Sequence, residues 1–113
     1  MKAKLNYKGK EIEIPDIIKV NSFEKFTGLM FKNKETNALL FEFDKPTNQA
    51  IHSLFCPDFL AIWLNENRII DYKVVTSAKL KIKPQENFNK LLEIPLNNRY
   101  FPVVEFFLEK EKI

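Results

Sequence analysis

Asn21-Ser22-Phe23-Glu24-Lys25-Phe26-Thr27-Gly28-Leu29-Met30-Phe31-Lys32, followed by a polar loop and then Ala38-Leu39-Leu40-Phe41-Glu42-Phe43, is the stretch whose reading decides the fold. Asn21 suits a helix N-cap, and Glu24 stands three residues on, where its carboxylate can reach back to the cap N–H. Phe23 and Phe26 share one face. Gly28 fits the left-handed position that ends a helix, and Leu29 can fold back onto Phe23. The pattern predicts a short helix near residues 22–27, a turn, and a strand. A helix of about two turns is marginal by itself, so its Phe side chains are expected to dock on the strand that begins at Ala38.

Working outward, Lys2 to Tyr7 and Lys10 to Ile14 alternate around Lys8-Gly9, a two-residue hairpin signal. Ile12 and Ile14 are expected to face inward, with Glu11 and Glu13 outward. Because the chain has only two glycines, Gly9 and Gly28, each is expected to mark a backbone position with positive φ. In Leu39 to Asp44 the alternation puts Phe41 and Phe43 inward and Glu42 and Asp44 outward. Gln49 to Cys56 and Phe59 to Leu64 are apolar enough for central strands, and Asn65-Glu66-Asn67 turns the chain into Arg68 to Ser77. Lys79 to Lys83, Phe88 to Ile94 and Val103 to Leu108 complete the set. The expected fold is mainly β: a compact antiparallel β-sandwich or barrel-like domain of about eight strands with one short helix. Residues 1–113 are read as a single domain.

Several of these motifs resemble, in order and spacing, domain of unknown function 192, also called uncharacterised protein family 0127. They are Gly28-Leu29-Met30-Phe31-Lys32, Leu39-Leu40-Phe41-Glu42-Phe43, Ile51-His52, Trp63-Leu64-Asn65, Arg68 to Lys73 and Leu91-Leu92-Glu93-Ile94-Pro95. The resemblance spans roughly residues 21–97, is nearest to what we take as the family's archaeal-type branch, and implies a mainly β, sandwich-like domain. It implies no activity. Where family members usually carry Pro-x-Asp, this chain has Cys56-Pro57-Asp58 in a different register, and Asn97-Asn98 replaces the usual glycine.

Composition excludes much chemistry. The 113 residues are 45% apolar, with 11 Phe, and the net charge of +3 is mild, so nucleic-acid binding is not expected from charge. A single Cys excludes an intramolecular disulfide and points to a reducing compartment. The N-terminus lacks an apolar signal region and no apolar run approaches about 18 residues. A cytoplasmic protein without membrane contact is expected, as a monomer or homodimer. No Gly-rich phosphate loop is present, and one His with one Cys cannot build a structural zinc site. No cofactor and no metal are expected.

What remains is a short set of candidates. His52 and Cys56 on one strand would stand about 13 Å apart, beyond the reach of a thiol–imidazole dyad. His52, Met30 and Lys32 are therefore read as ligand-binding candidates beside the Gly28 turn, in a non-enzymatic binding module for a small polar ligand or a protein partner. The alternative is a small hydrolase or lyase with His52 as general base, oriented by Asp58 or Glu42. A third reading, weak RNA binding through Lys79, Lys81 and Lys83, competes with their use as the charged guard of an edge strand.

Overall fold

The computed structural model describes residues 1–20, 28–30 and 32–111. The expected helix near residues 22–27 lies outside the described residues. The chain opens with a hairpin of β1 (Ala3–Tyr7) and β2 (Lys10–Ile14), whose register runs from Ala3↔Ile14 to Tyr7↔Lys10. Its turn residues, Lys8 at φ 51° and Gly9 at φ 83°, are both left-handed, as a twist-matched two-residue connection requires. Leu5 and Ile14 are buried on its inner face and Ile12 packs beside them.

A five-stranded sheet forms the centre. Its members are β3 (Ile17–Lys19), β4 (Ala38–Thr47), β5 (Phe59–Asn65), β6 (Arg68–Val75) and β7 (Phe88–Pro95), in the order β3-β4-β7-β5-β6. β3 runs parallel to β4, and the other pairs are antiparallel. β5 lies inside the sheet and is buried from Phe59 to Leu64, the continuous apolar run expected of a strand covered on both faces. The β5–β6 hairpin matches the sequence reading.

Three expected strands are absent from these segments. Val103 to Leu108 lies in the helix α1 (Phe101–Glu111), where Val103, Val104 and Phe107 are buried together with Tyr100 just before it. Spacings of three and four put these side chains on one stripe of a helix. Gln49 to Cys56 and Lys79 to Lys83 are irregular and share one β-bridge, Ile51↔Ile82. In the second segment Leu80 is 74% exposed: its strict alternation finds no strand edge to complete. The described residues thus hold seven strands and one short α-helix, α1, so the fold is mainly β.

Alternation along each strand divides the central sheet into two faces. The first carries Leu40, Leu60, Ile62, Leu64, Leu92 and Ile94 beneath the hairpin and α1. Tyr7, Tyr72 and Phe107 interlock there, with ring centroids 4.8–5.7 Å apart. The Tyr100 hydroxyl, fully buried, accepts the Ala38 N–H and donates to the Asp16 carbonyl, each at 2.8 Å. That pair of bonds ties the start of α1 to β4. The second face carries Leu39, Phe41, Phe59, Ala61, Trp63 and Leu91, with Leu29 and Cys56 packed on them from loops.

Candidate functional site

The second face contains the least expected residue of the molecule. On β7, Leu91 and Glu93 point to this face while Leu92 and Ile94 point to the other. Glu93 stands opposite Leu39 of β4 and Ala61 of β5 and is only 5% exposed. Burial pushes its carboxyl up to about 8, and a hydrogen bond from the Leu29 N–H pulls weakly the other way. Removing a carboxylate from water without a counter-charge disfavours ionisation. Glu93 is accordingly a neutral acid at neutral pH.

Gly28 sits directly on that acid. Its φ is +51°, and a Cβ there would stand 2.9 Å from Glu93 Oε1 and 3.3 Å from the Phe41 ring. Backbone conformation and close approach both demand glycine. The turn is closed by the Lys32 N–H donating to the Leu29 carbonyl at 3.0 Å. Cys56 is buried nearby in the same cluster, and its thiol is pushed up to about 11, first by burial and then by the charge of Glu93. A thiol so raised stays protonated and is a poor nucleophile.

The loops over this face are stitched through Ser53, which is fully buried. Its hydroxyl donates to the Thr76 carbonyl at 2.6 Å and accepts the Lys79 N–H at 2.8 Å. Its N–H donates to the Lys79 carbonyl, and its own carbonyl accepts from Cys56 and Ala78. Asp58 adds a second pin by accepting the Ser77 N–H at 3.0 Å. Every polar atom of this serine joins residues 51–56 to residues 76–79.

The sequence candidates divide accordingly. Gly28, Met30 and Lys32 share one turn; Met30 packs against the second face and Lys32 is exposed. His52 is half-buried in the Ser53 loop, where its Nδ1 accepts the Leu54 N–H at 3.2 Å, which leaves the proton of the neutral ring on Nε2. The extended His52–Cys56 separation does not apply, because the Cys56 N–H donates to the Ser53 carbonyl in a tight turn. Even so, each side chain bonds the Leu54 backbone, the thiol at 3.5 Å from its carbonyl, and they do not bond each other.

The carboxylates of the catalytic alternative are engaged elsewhere. Glu42 follows Leu40 on the first face and pairs with Lys19 at 2.9 Å, on the other side of the sheet from the His52 loop. Asp58 holds Ser77. Among the described residues no carboxylate bonds the His52 ring, and no group of three His, Cys, Asp or Glu could hold a metal ion. Gly9 serves the hairpin turn. Lys79, Lys81 and Lys83 are exposed on a loop rather than on an edge strand.

Glu93 and Ser53 were not singled out by sequence reasoning. For Glu93 a signal existed: it shares the period-two face of Leu91 in an otherwise apolar run. Trp63 Nε1, on the same face, is buried without a partner among the described residues. The Lys73 ammonium stands 5.9 Å from the Trp63 ring centre and donates to the Lys83 carbonyl at 2.6 Å.

Comparison with known proteins follows from the fold. No protein family and no curated protein matches the chain. Two solved structures are similar. One is a "putative transcription regulator" from Sinorhizobium meliloti 1021, with a TM-score of 0.71, 13% identity, and coverage of 90% of this chain and 83% of that one. The other is a protein of unknown function from Novosphingobium aromaticivorans DSM 12444, with a TM-score of 0.66, 15% identity, and coverage of 89% and 75%. At such identities the likeness is one of fold alone. No described helix is long and apolar enough to cross a membrane.

Proposed function

We propose that this protein is a non-enzymatic binding module, and that its loop-covered face reads a small polar ligand or a segment of a protein partner beside the Gly28 turn. The observation that carries the reading is the neutral, buried Glu93 seated against Gly28 and Leu29. A turn held on a buried acid is pre-organised, and pre-organisation lowers the entropy lost when a ligand docks. Lys32 supplies a cation on that turn, and His52 supplies an Nε2–H donor from a loop that covers the same face. Both favour a ligand rich in acceptors.

Catalysis is less well supported. The Cys56 thiol is held protonated, Glu93 is sealed from solvent, and His52 has no orienting carboxylate among the described residues. A general base needs such an orienting group or a substrate proton within hydrogen-bond reach. The sequence resemblance to domain of unknown function 192 is retained within the proposal, as kinship in fold and in the placement of the Gly-Leu-Met turn.

The test is a thermal-shift screen of the wild-type protein with His52→Ala and Lys32→Ala, against metabolites, sugars, nucleotides and short acidic peptides. A ligand at a hundred times its Kd stabilises by about 2.7 kcal/mol, several degrees for a domain of this size. The expected result is a shift lost in both variants. Affinities unchanged in both would contradict the proposal.

A further inference from the structure

We propose that a cleft on the opposite, first face is a second and independent binding site, for a small carboxylate bearing an apolar ring or short chain. The cleft has a volume of about 210 Å³ and lies where β1 meets the central sheet. Leu5, Leu40, Leu64 and Leu92 line it, one from each of β1, β4, β5 and β7. Lys4 and Lys90 line it as well.

Three properties select the ligand class. Four of the ten lining residues are leucines while Lys4, Glu66, Asn67 and Lys90 are polar, so a ligand that matches the cleft joins an apolar part to a polar one. The volume exceeds the roughly 150 Å³ that an apolar cavity needs to take up benzene, so a single ring or a chain of about six carbons fits.

The third property is charge. Lys90 stands in register between Glu42 and Leu64, yet the Glu42 carboxylate pairs with Lys19 at 2.9 Å. Glu66, also on the lining, accepts the Asn89 side-chain amide at 2.8 Å. Lys90 forms no ion pair among the described residues, whereas Lys4, next to the inward Leu5 and opposite Glu13, carries its ammonium off the outer face of the hairpin. The unpaired Lys90 ammonium beside a leucine-lined hollow suits a carboxylate outside and a hydrocarbon inside, and the lysine stem can lie along that hydrocarbon.

The site is tested by titrating the 15N-labelled protein with benzoate and, separately, with benzyl alcohol, while following backbone amide shifts. Saturable shifts centred on Leu5, Leu64 and Leu92 are expected, with benzoate binding at least fivefold tighter than the alcohol. Lys90→Met, checked for a folded spectrum, is expected to reduce that preference to within twofold. His52→Ala is expected to change neither titration, which separates this site from the one on the other face. The proposal is overturned by the absence of saturable shifts at these amides, by equal binding of benzoate and alcohol to the wild type, or by a preference that survives Lys90→Met.

Discussion

The two faces of the central sheet are built from the same strands and covered in opposite ways. The first face meets regular elements, a hairpin and a helix, through branched and aromatic side chains whose hydrogen bonds are few and complete, as at Tyr100. The second face meets loops. Its cover depends on one serine, one aspartate and a glycine turn, and beneath it lie an acid, a thiol and an indole N–H that has no partner among the described residues. Regular elements satisfy their own backbone and can be closed by packing alone, whereas loops need side chains to satisfy theirs. The contrast gives the first face most of the regular packing, and it leaves to the loops of the second the binding role proposed for the Gly28 turn.

The sharpest division should come from truncation of the first face. Phe107→Ala removes a fully buried ring from the aromatic cluster and is expected to cost about 3–5 kcal/mol in denaturant unfolding. That cost should be independent of pH.

On the second face the largest effect should depend on pH. The Glu93 carboxyl is raised to about 8 from an ordinary value of 4.5, so between these values the folded state holds a proton that the unfolded state has lost. Its contribution is therefore fully present below the unfolded value. It declines as pH rises, by up to about 1.4 kcal/mol per unit, and is gone above the folded value. Glu93→Gln should cancel this slope, with a stability advantage over the wild type that grows from pH 5 to pH 8. Parallel profiles for the two proteins would break the contrast between the faces.

Smaller effects refine it. Ser53→Ala leaves the Lys79 N–H and Thr76 carbonyl without their partner and should cost about 1–3 kcal/mol. Hydrogen exchange should quicken in residues 51–56 and 76–82 first, since the loops depend on this hub. Smallest of all, Lys8→Asn places a residue more tolerant of left-handed backbone in the hairpin turn and should stabilise by a few tenths of a kcal/mol, read as a shift in urea midpoint at constant slope.

The legible parts of the sequence were those in which local pattern and tertiary environment agree. Lys8-Gly9 between alternating runs, and Phe59–Asn65 against Arg68–Val75, announce hairpins because both the turn and its flanking strands are encoded nearby. The segment from Val103 to Leu108 is apolar enough to pass for a strand. Its Tyr100, Val103, Val104, Phe107 spacing carries the helix. Lys79 to Lys83 shows the opposite limit, since strict alternation prepares a strand but cannot supply the neighbour it must pair with. The Gly28 turn was legible from glycine scarcity, and Met30 and Lys32 followed from it. Glu93 was passed over because a lone acid in an apolar run reads as an outward residue. Only the register opposite Leu39 and Ala61 turns it inward.

The account rests most directly on the protonation state of that one residue. The measurement is a carbon NMR titration of the glutamate side-chain carboxyl signals in 13C-labelled protein, with Glu93→Gln used to assign the Glu93 resonance. A midpoint near 8 is the predicted result, and it would establish a neutral acid beneath the Gly28 turn at neutral pH. A midpoint near 4.5 would mean that Glu93 is solvated and charged, and would contradict both the seat under the turn and the binding face built on it.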